Sequence, residues 1–329
     1  VLTAIYRGFG DTQTPMIINI AINLTNVVGN FLLIYSPRQI TLFGTTFPMW
    51  GAGMGVAGAA LATTFSQVMG SLALLAICFT QRSGPMRISL KESFRPSRDT
   101  LREVFHVSLP VMFERFTMSS AFVVTSSIIA TLGTVSLAAN SLAGQAESLS
   151  FMPGFAFGTA ATTLVGQSLG AGNEEQARRY VRITGLMGAG VMFFMSCVLF
   201  FLSDRIISLF TPDLAVIELG GKLLKILAFI QVPQMYAMVY SGALKGAGDT
   251  RSPFLITLCS MWGVRILGSF ILIRLLHKDL PWMCAAMCLD NVVRFFLYLH
   301  CYRKGKWVHA YEKHESRSKQ RSKEQAAAE

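Results

Sequence analysis

Six ionisable residues lie within long apolar stretches of this sequence, where an unpaired charge is costly. They are Glu114, Arg115, Glu147, Arg265, Asp290 and Arg294. A carboxylate in such surroundings attracts a cation or a proton, because an unpaired negative charge is disfavoured there. We therefore take the three acids, Glu114, Glu147 and Asp290, as candidate groups for binding a substrate or a coupling ion.

Each acid also has a structural explanation. Asp290 and Arg294 are four residues apart, which is the spacing of an intrahelical ion pair. Glu114 directly precedes Arg115, although adjacent helical residues point in different directions. Arg265 is a further basic partner that could reach an acid on a neighbouring helix. Under this alternative, arginines neutralise the acids and the pairs stabilise the packing.

Polar side chains cluster at two other places in the apolar stretches. Asn140 and Gln145 accompany Glu147, and we expect this stretch of helix to face the protein interior or a wet cavity. A pocket wall of amide, flexible and aromatic side chains is predicted at Gln231, Gln234, Met235, Tyr236 and Tyr240. Such a wall suits broad specificity, because Met and aromatic surfaces adapt to varied ligands and aromatic faces attract cations. Ordinary helix packing is the alternative for each of these residues.

The sequence contains no recognisable constellation for catalysis or metal binding. A membrane-embedded enzyme would need a Ser–His pair, paired Asp residues or an HExxH motif, and we find none. Among the six cysteines, Cys284 and Cys288 are four residues apart, but no His or third Cys accompanies them. We interpret the cysteines as small packing residues. We therefore predict a protein that is not an enzyme and that holds neither a metal nor an organic cofactor.

The elements that position these residues are long apolar helices. The chain has 329 residues, of which 52% are hydrophobic and only 14% are charged, whereas a soluble domain carries about 25% charged residues. An apolar stretch of about 20 residues is long enough to span a membrane. We predict eight spans, at residues 14–35, 55–79, 104–130, 135–167, 184–203, 218–243, 252–275 and 281–301. The predicted fold class is an all-α polytopic membrane protein, with the lipid bilayer as its surroundings.

The net charge of +11 is explained by membrane topology. With residues 81–103 on the cytoplasmic side, most of the 29 Lys and Arg residues fall on that side or in the tail, as the positive-inside rule predicts. Nucleic-acid binding would need basic residues and aromatics on one face, so we expect no nucleic-acid partner. We predict a multi-pass protein of the plasma (inner) membrane with a cytoplasmic C-terminus.

A short motif occurs twice. Residues 7–15 read RGFGDTQTP, residues 245–253 read KGAGDTRSP, and each copy precedes an apolar span. Repeated halves are a recurring plan of secondary transporters. We interpret both copies as tight helix–turn–helix connections, in which glycines end one helix and Thr14–Pro15 or Ser252–Pro253 caps the next. The residues given this structural role are Gly8, Gly10, Asp11, Gly246, Gly248 and Asp249.

The spacing of the two copies predicts the domain organisation. Four spans lie between Pro110 and Gly248, whereas only a few residues precede Gly10. We therefore expect roughly four helices to be missing on the N-terminal side. We assign residues 1–80 to the last two helices of an N-lobe and 81–103 to a basic cytoplasmic linker. We assign 104–302 to a complete six-helix C-lobe and 303–329 to a basic cytoplasmic tail, disordered in its last part.

A second structural motif, GQSLGAGN, covers residues 166–173. Gly170 and Gly172 are expected to stop the preceding span. Asn173 then caps a further helix that has acidic residues in its first turn. Together with Gly166 and Gln167, these residues are assigned an architectural role in preference to ligand contact.

Together these segments resemble the multidrug and toxic compound extrusion (MATE) family. The resemblance is carried by the two GDT motifs, LPVMFER (109–115), SLSFMPGFAFGTAATTLVGQ (148–167), GQSLGAGNEEQARR (166–179) and DNVVRFF…GKW (290–307). It covers nearly the whole chain and implies twelve helices in two six-helix lobes, of which the spans here correspond to helices five to twelve. It also implies an antiporter that exports small organic cations and other drugs, coupled to entry of Na⁺ or H⁺. We expect a monomer.

Two positions depart from the family pattern. One branch of the family has an acid a little over two helical turns after the proline that corresponds to Pro110, where this chain has Met118. The same branch has an Asp where this chain has Gln234. The coupling ion therefore stays open between Na⁺ and H⁺. The alternatives are a flippase of lipid-linked saccharides, which the intramembrane arginines favour, and an inactive truncated chain.

Overall fold

Long α-helices make up most of the chain in the computed structural model, which describes residues 2–42, 45–80, 98–305 and 307–308. The first elements are α1 (Leu2–Gly8), α2 (Gln13–Leu33), β1 (Arg38–Leu42), β2 (Thr45–Met49) and α3 (Gly55–Thr80). Then follow α4 (Arg98–Ala130), α5 (Thr134–Gly170), α6 (Glu174–Phe201), α7 (Ser203–Ser208), α8 (Leu214–Ala228) and α9 (Gln231–Gly246). The last are α10 (Arg251–Ser260), α11 (Leu267–Phe270) and α12 (Leu280–Arg303), with π-helical segments at Met261–Ile266 and Ile271–Leu275.

Seven of the described helical stretches are long and apolar enough to cross a membrane. They match seven of the eight predicted spans, and the predicted fold class, an all-α polytopic membrane protein, is confirmed. The span predicted at 218–243 is wrong as a single helix, because the chain divides into α8 and α9 at Phe229–Ile230. Pro233 contributes to the division, since it has no N–H to donate to the carbonyl of Phe229, but α4 and α5 continue through Pro110 and Pro153.

The division between α8 and α9 is stabilised by side chains of neighbouring helices. Ser196 Oγ on α6 donates to the carbonyl oxygen of Ala228 at 2.7 Å. Cys288 Sγ on α12 donates to the carbonyl oxygen of Ile226 at 3.9 Å. Carbonyl groups released from a helix within a membrane need such partners, because the hydrocarbon region supplies no water. The divided span is therefore compatible with a buried position.

The chain forms two compact units, residues 1–95 and 96–329. In the first unit α2 packs along α3, and Asn26 Nδ2 donates to Thr63 Oγ1 between them at 3.1 Å. The two backbones approach closely, since a Cβ on Gly58 would lie 2.5 Å from the carbonyl oxygen of Leu33. Strands β1 and β2 form an antiparallel hairpin between these helices, which the apolar pattern does not predict.

In the second unit α9 packs against α5, α6 and α12. Its contact with α5 is made at the backbone. A Cβ on Gly242 would lie 2.2 Å from the carbonyl oxygen of Gly158, and one on Gly246 would lie 2.3 Å from that of Thr162. Gly166 extends the interface, because its Cβ would lie 3.2 Å from the carbonyl oxygen of Gly246. Small residues spaced by four are typical of close helix packing in membranes.

Both copies of the repeated motif form the same turn. Gly10 and Gly248 have φ values of 90° and 83°, in the left-handed region that favours glycine. The N–H groups of Asp11 and Asp249 each donate at 3.0 Å to a carbonyl in the last turn of the preceding helix. This is the Schellman arrangement, so the prediction that glycine ends these helices is confirmed at Gly10 and Gly248.

The helices that follow these turns begin differently from the prediction. Thr14 and Ser252 are not the caps, because α2 and α10 begin before them. The carboxylates of Asp11 and Asp249 accept the backbone N–H of Thr14 and Ser252, each at 3.0 Å. They also accept the hydroxyl groups of the same residues at 2.7 and 2.6 Å. The N–H of Thr14, and then its hydroxyl, lower the pKa of Asp11, so this cap is charged at neutral pH. Its stabilising contribution is lost only as the pH falls through the lowered pKa.

The GQSLGAGN segment forms a third turn of this kind. Helix α5 ends at Gly170, and Gly172 has a φ of 72°. The carbonyl oxygen of Gln167 accepts the N–H of the residue that follows α5 at 3.0 Å. Asn173 caps α6 by accepting a backbone N–H of the first turn at 2.9 Å. The predicted roles of Gly172 and Asn173 are confirmed.

Two predicted segments fall largely outside the described residues. Residues 81–97 of the predicted linker lie outside them. Residues 98–103, which the prediction places in the linker, form the first turns of α4. Of the predicted tail, residues 306 and 309–329 lie outside the described part, and Arg303 is the last residue of α12.

Candidate functional site

A cavity of about 290 Å³ lies in the second unit between α4, α5, α9, α10 and α12. Its charged lining residues are Glu114, Arg115, Lys245 and Arg294, and its aromatic and methionine residues are Met118, Phe151, Phe155, Met238 and Tyr298. We call it the Glu114 cavity. It combines an apolar wall with a few polar groups, which is the usual composition of a small-molecule site.

Glu114 and Lys245 form an ion pair in the wall of this cavity. Lys245 Nζ donates to Glu114 Oε1 at 3.0 Å, and it lies 2.9 Å from Oε2 in an ion contact without a hydrogen bond. The side chain of Glu114 is 7% exposed and that of Lys245 is 28% exposed. The alternative in which an arginine neutralises Glu114 is therefore wrong, because the described partner is a lysine. A cation or proton that reached Glu114 would compete with the ammonium group of Lys245.

Lys245 is the site residue that sequence reasoning misses. It begins the second copy of the repeated motif, and the positive-inside pattern assigns it to a cytoplasmic connection. Helix α4 continues through Pro110, and α4 and α9 bring Glu114 and Lys245 together. One feature of the sequence could have drawn attention to Lys245: a basic residue begins both copies of the motif, Arg7 in the first and Lys245 in the second.

Asp290 is fully buried, and its described hydrogen-bond partners belong to the same helix and to α10. Arg294 Nη2 donates to its two carboxylate oxygens at 3.0 and 2.8 Å. Ser260 Oγ donates to the Asp290 carbonyl oxygen at 3.0 Å and to the carboxylate. The i, i+4 pair of Asp290 and Arg294 is thus present. Because Arg294 lines the Glu114 cavity, Asp290 acts on that cavity by holding Arg294.

Glu147 lies outside the described lining of the Glu114 cavity, and Arg265 links it electrostatically to Asp290 and Arg294. Glu147, Asn140 and Gln145 are absent from the described lining of the Glu114 cavity. Glu147 and Asn140 are partly buried, whereas Gln145 is exposed on its unit. Glu147 interacts electrostatically with Arg265, whose Nε is buried without a hydrogen-bond partner in the described part of the chain.

The pocket wall predicted on α9 is divided among three environments. Gln234 lines the Glu114 cavity. Gln231 is fully buried and Met235 lies in the core beside it, whereas Tyr236 and Tyr240 line a separate groove against α6 and α12. The prediction that these residues form a single pocket wall is therefore wrong, because successive residues of a helix point about 100° apart.

The cavity also contains a polar atom that lacks a partner. Gln234 Oε1 is buried and has no hydrogen-bond partner among the described residues, and such an atom calls for a water molecule, an ion or a ligand. Within the described residues no group of three His, Cys, Asp or Glu side chains could hold a metal ion. The side-chain oxygens that the lining offers to a cation belong to the carboxylate of Glu114, the amides of Gln234 and Asn291, and the hydroxyl groups of Thr159, Thr162, Ser241, Thr257 and Tyr298.

The charges around the cavity do not cancel. Arg115 has no acid partner in the described part of the chain, and its guanidinium carbon lies 5.7 Å from the centroid of the Phe155 ring. Glu114 is matched by Lys245, and Arg294 by Asp290. Three bases thus face two acids, and the positive charge of Arg115 is left over.

The sequence has clear relatives among curated proteins. Residues 110–271 match the family model described as MatE. A probable multidrug resistance protein NorM from Thermotoga maritima is 30% identical over 307 residues, which is 93% of this chain and 63% of that protein. The multidrug resistance protein MdtK of Pectobacterium atrosepticum is 29% identical over 276 residues, covering 83% of this chain and 57% of that protein.

Solved structures share the fold. A MOP superfamily transporter from Pyrococcus furiosus has a TM-score of 0.83 at 22% identity, covering 94% of this chain and 65% of that chain. An outward-facing multidrug resistance transporter of the MATE family has a TM-score of 0.79 at 22% identity. The chain thus spans 57% to 63% of the length of the two curated relatives described above.

Proposed function

Because this chain belongs to the MATE family of transporters, we propose that it acts in an antiporter that exports small organic cations in exchange for Na⁺ or H⁺. The Glu114–Lys245 pair in the wall of an apolar cavity is the observation that carries this proposal. The plasma membrane is the proposed location, and a monomer is the proposed functional unit.

The pair supplies a physical basis for exchange. Glu114 is the acid of the described cavity lining, so an entering Na⁺ or H⁺ and a cationic substrate compete for one carboxylate. When neither is bound, Lys245 neutralises Glu114 and avoids an unpaired buried charge. Antiport requires such mutual exclusion of the two ligands, because binding of one must release the other.

The apolar wall accounts for a broad range of substrates. Phe151 and Phe155 offer ring faces, and Met118 and Met238 offer flexible thioether chains. Aromatic faces attract organic cations, and methionine adapts to different ligand shapes. Gln234 adds one buried amide oxygen that is free to accept a hydrogen bond from a substrate.

Arg115 favours a second candidate, the transport of organic anions. Its charge is the one left unmatched in the cavity lining, and it lies beside the Phe155 ring. An amphiphilic anion would place its charge at Arg115 and its apolar part against the aromatic wall. Lipid-linked saccharides, which carry phosphate groups, belong to this class.

Dye efflux from an efflux-deficient bacterium tests the proposal. The chain is expressed together with any coding sequence that precedes it, and ethidium and carboxyfluorescein serve as cationic and anionic probes. We expect lower ethidium accumulation and unchanged carboxyfluorescein accumulation. Lower carboxyfluorescein accumulation alone would favour the anion candidate, and no change in either dye would count against both.

Two matched comparisons sharpen this test. Glu114→Gln should abolish the effect on ethidium, whereas Glu175→Gln, which removes an exposed acid at the start of α6, should leave it intact. Residues 1–329 expressed alone should show no efflux, because they span 63% of the T. maritima relative. Gradient-dependent efflux by residues 1–329 would overturn that last expectation.

A further inference from the structure

A second cavity, between α6, α9 and α12, takes no part in the proposed transport. Its volume is about 530 Å³. Its lining combines Arg178, Arg182 and Arg303 with tyrosine, phenylalanine and leucine side chains. We call it the arginine groove.

The arginine groove carries an excess of positive charge. Arg178 is paired with Glu174 at 2.6 Å, and its guanidinium carbon lies 5.3 Å from the centroid of the Trp307 ring. Neither Arg182 nor Arg303 has an ion pair or a side-chain hydrogen bond within the described residues. In the part of the chain that the structure describes, these two guanidinium groups therefore have no protein anion to bind, although arginine is the residue best suited to phosphate.

Stacked rings form the wall behind these arginines. The Tyr236 and Tyr240 centroids are 6.1 Å apart, those of Tyr240 and Tyr302 are 5.0 Å apart, and those of Tyr302 and Trp307 are 5.4 Å apart. These contacts run in series from Tyr236 to Trp307, so the rings form one continuous aromatic cluster beside the arginines. Tyrosine and tryptophan are also the residues enriched where lipid headgroups meet the hydrocarbon region.

The groove changes from charged to apolar along its length. On α6, Arg178, Arg182 and Leu186 follow one another at intervals of four, so they lie on one helix face and span about 12 Å. At the charged end, Arg178 Nη2 lies 3.6 Å from where a Cβ on Gly305 would stand. At the apolar end, a Cβ on Gly185 would lie 2.9 Å from the Tyr236 ring. Leu186 there is 60% exposed.

We propose that the arginine groove binds the phosphate headgroup of an anionic phospholipid. The phosphate lies between Arg182 and Arg303, and the acyl chains leave the groove along Leu186. A soluble anion would use the guanidinium groups and leave the open apolar end empty, whereas a phospholipid uses both. Basic pockets between membrane helices are known places for such headgroups.

Thermal unfolding of the purified protein in nanodiscs tests this inference. Nanodiscs are made from phosphatidylcholine alone or from an equimolar mixture with phosphatidylglycerol. We expect phosphatidylglycerol to raise the Tm, since a ligand that binds only the folded state stabilises it. Inorganic phosphate added to phosphatidylcholine nanodiscs should not raise it.

Variants connect the shift to the groove. The Arg182→Gln/Arg303→Gln double variant should weaken the apparent affinity for phosphatidylglycerol roughly 25-fold, from about fivefold for each arginine. Arg182→Lys/Arg303→Lys should keep most of the shift, because the charges remain. Arg179→Gln, which removes an exposed arginine of α6 outside the groove lining, should keep all of it.

Three results would overturn the proposal. They are no Tm shift with phosphatidylglycerol in the wild type, a full shift in the Arg182→Gln/Arg303→Gln variant, and an equal shift with inorganic phosphate alone. The last would identify a site for a soluble anion. The Tm of each variant in phosphatidylcholine nanodiscs shows whether that variant is folded without phosphatidylglycerol. If the glutamine variant is not folded, the lysine variant still tests whether the charges at these two positions produce the shift.

Discussion

At the scale of single residues, the notable feature of the second unit is a buried acid that is paired with a base on another helix. Glu114 on α4 binds Lys245 on α9, and the two residues are 131 positions apart in the chain. A buried acid without a partner would be strongly unfavourable. The pair therefore stabilises the fold while leaving an acid that a cation can reach from the cavity.

A double-mutant cycle measures this pair. Glu114→Gln leaves Lys245 without its acid, and Lys245→Gln leaves Glu114 without its base, so each single change should lower the Tm. The double variant should lose less unfolding free energy than the two single variants lose together, and the difference, the interaction energy, should be about 0.5–3 kcal/mol. Thermal unfolding in detergent provides the measurement.

An exposed pair supplies the control for this cycle. Lys222 and Glu218 on α8 are 2.7 Å apart with side chains 57% and 73% exposed. The same cycle with Glu218→Gln and Lys222→Gln should give no more than about 0.5 kcal/mol. Strict additivity at Glu114 and Lys245 would show that their contact contributes nothing to stability.

At the scale of elements, one pair of residues ends a helix and begins the next at three places. Glycine adopts the left-handed conformation at Gly10, Gly172 and Gly248, and the residue after each glycine caps the following helix. The glycine conformation reverses the chain, and other residues adopt it with strain. The capping residue satisfies N–H groups that a helix leaves without partners. Short connections of this kind hold consecutive helices side by side.

The contact between α5 and α9 predicts a strong effect of a small substitution. A Cβ on Gly242 would lie 2.2 Å from the carbonyl oxygen of Gly158, so Gly242→Ala must push the two helices apart. We expect a loss of about 1–3 kcal/mol and a lower Tm in detergent. Since Gly242 also lines the Glu114 cavity, export should fall with stability.

Gly190→Ala on α6 is the matched control. No atom lies within 4 Å of a Cβ at Gly190, so the substitution meets no steric barrier. Alanine favours the helix over glycine by up to about 1 kcal/mol, and the Tm should stay the same or rise. A Tm for Gly242→Ala equal to that of Gly190→Ala would contradict the close contact.

At the scale of the whole molecule, the distribution of charge predicts the orientation in the membrane. The basic residues of the connections that lead into α4, α6 and α10, and of the C-terminal tail, fall on one side when the spans alternate. Cytoplasmic segments are richest in such residues. The arginine groove lies at the same end, because it is built from the start of α6 and the end of α12.

Fusions at the C-terminus test this orientation. We expect a green fluorescent protein fused after Glu329 to be fluorescent, because it folds in the cytoplasm. Alkaline phosphatase at the same place should be inactive, since it requires export. Fusion after residue 133, between α4 and α5, should give the opposite pattern. Active phosphatase at the C-terminus would reverse the predicted topology.

Much of the architecture is determined by the sequence alone, for a local reason. An apolar stretch that crosses a membrane must be helical, because backbone groups in hydrocarbon have to bond within their own segment. Seven spans and the turns at Gly10, Gly172 and Gly248 follow from such short-range requirements. The division at Phe229–Ile230 also has a local cause in Pro233, but whether a proline bends a helix or divides it depends on neighbours such as Ser196.

The partners of the charged residues were decided only by the tertiary structure. The sequence shows that Glu114 needs a neutralising group, but Arg115, Arg294 and Lys245 are all bases of suitable type. The packing of α4 against α10 and of α9 against α12 places Lys245 beside Glu114 and leaves Arg115 over Phe155. Helical periodicity gives each side chain a direction along its own axis, whereas a contact between helices also depends on their relative rotation and offset, which non-local packing sets.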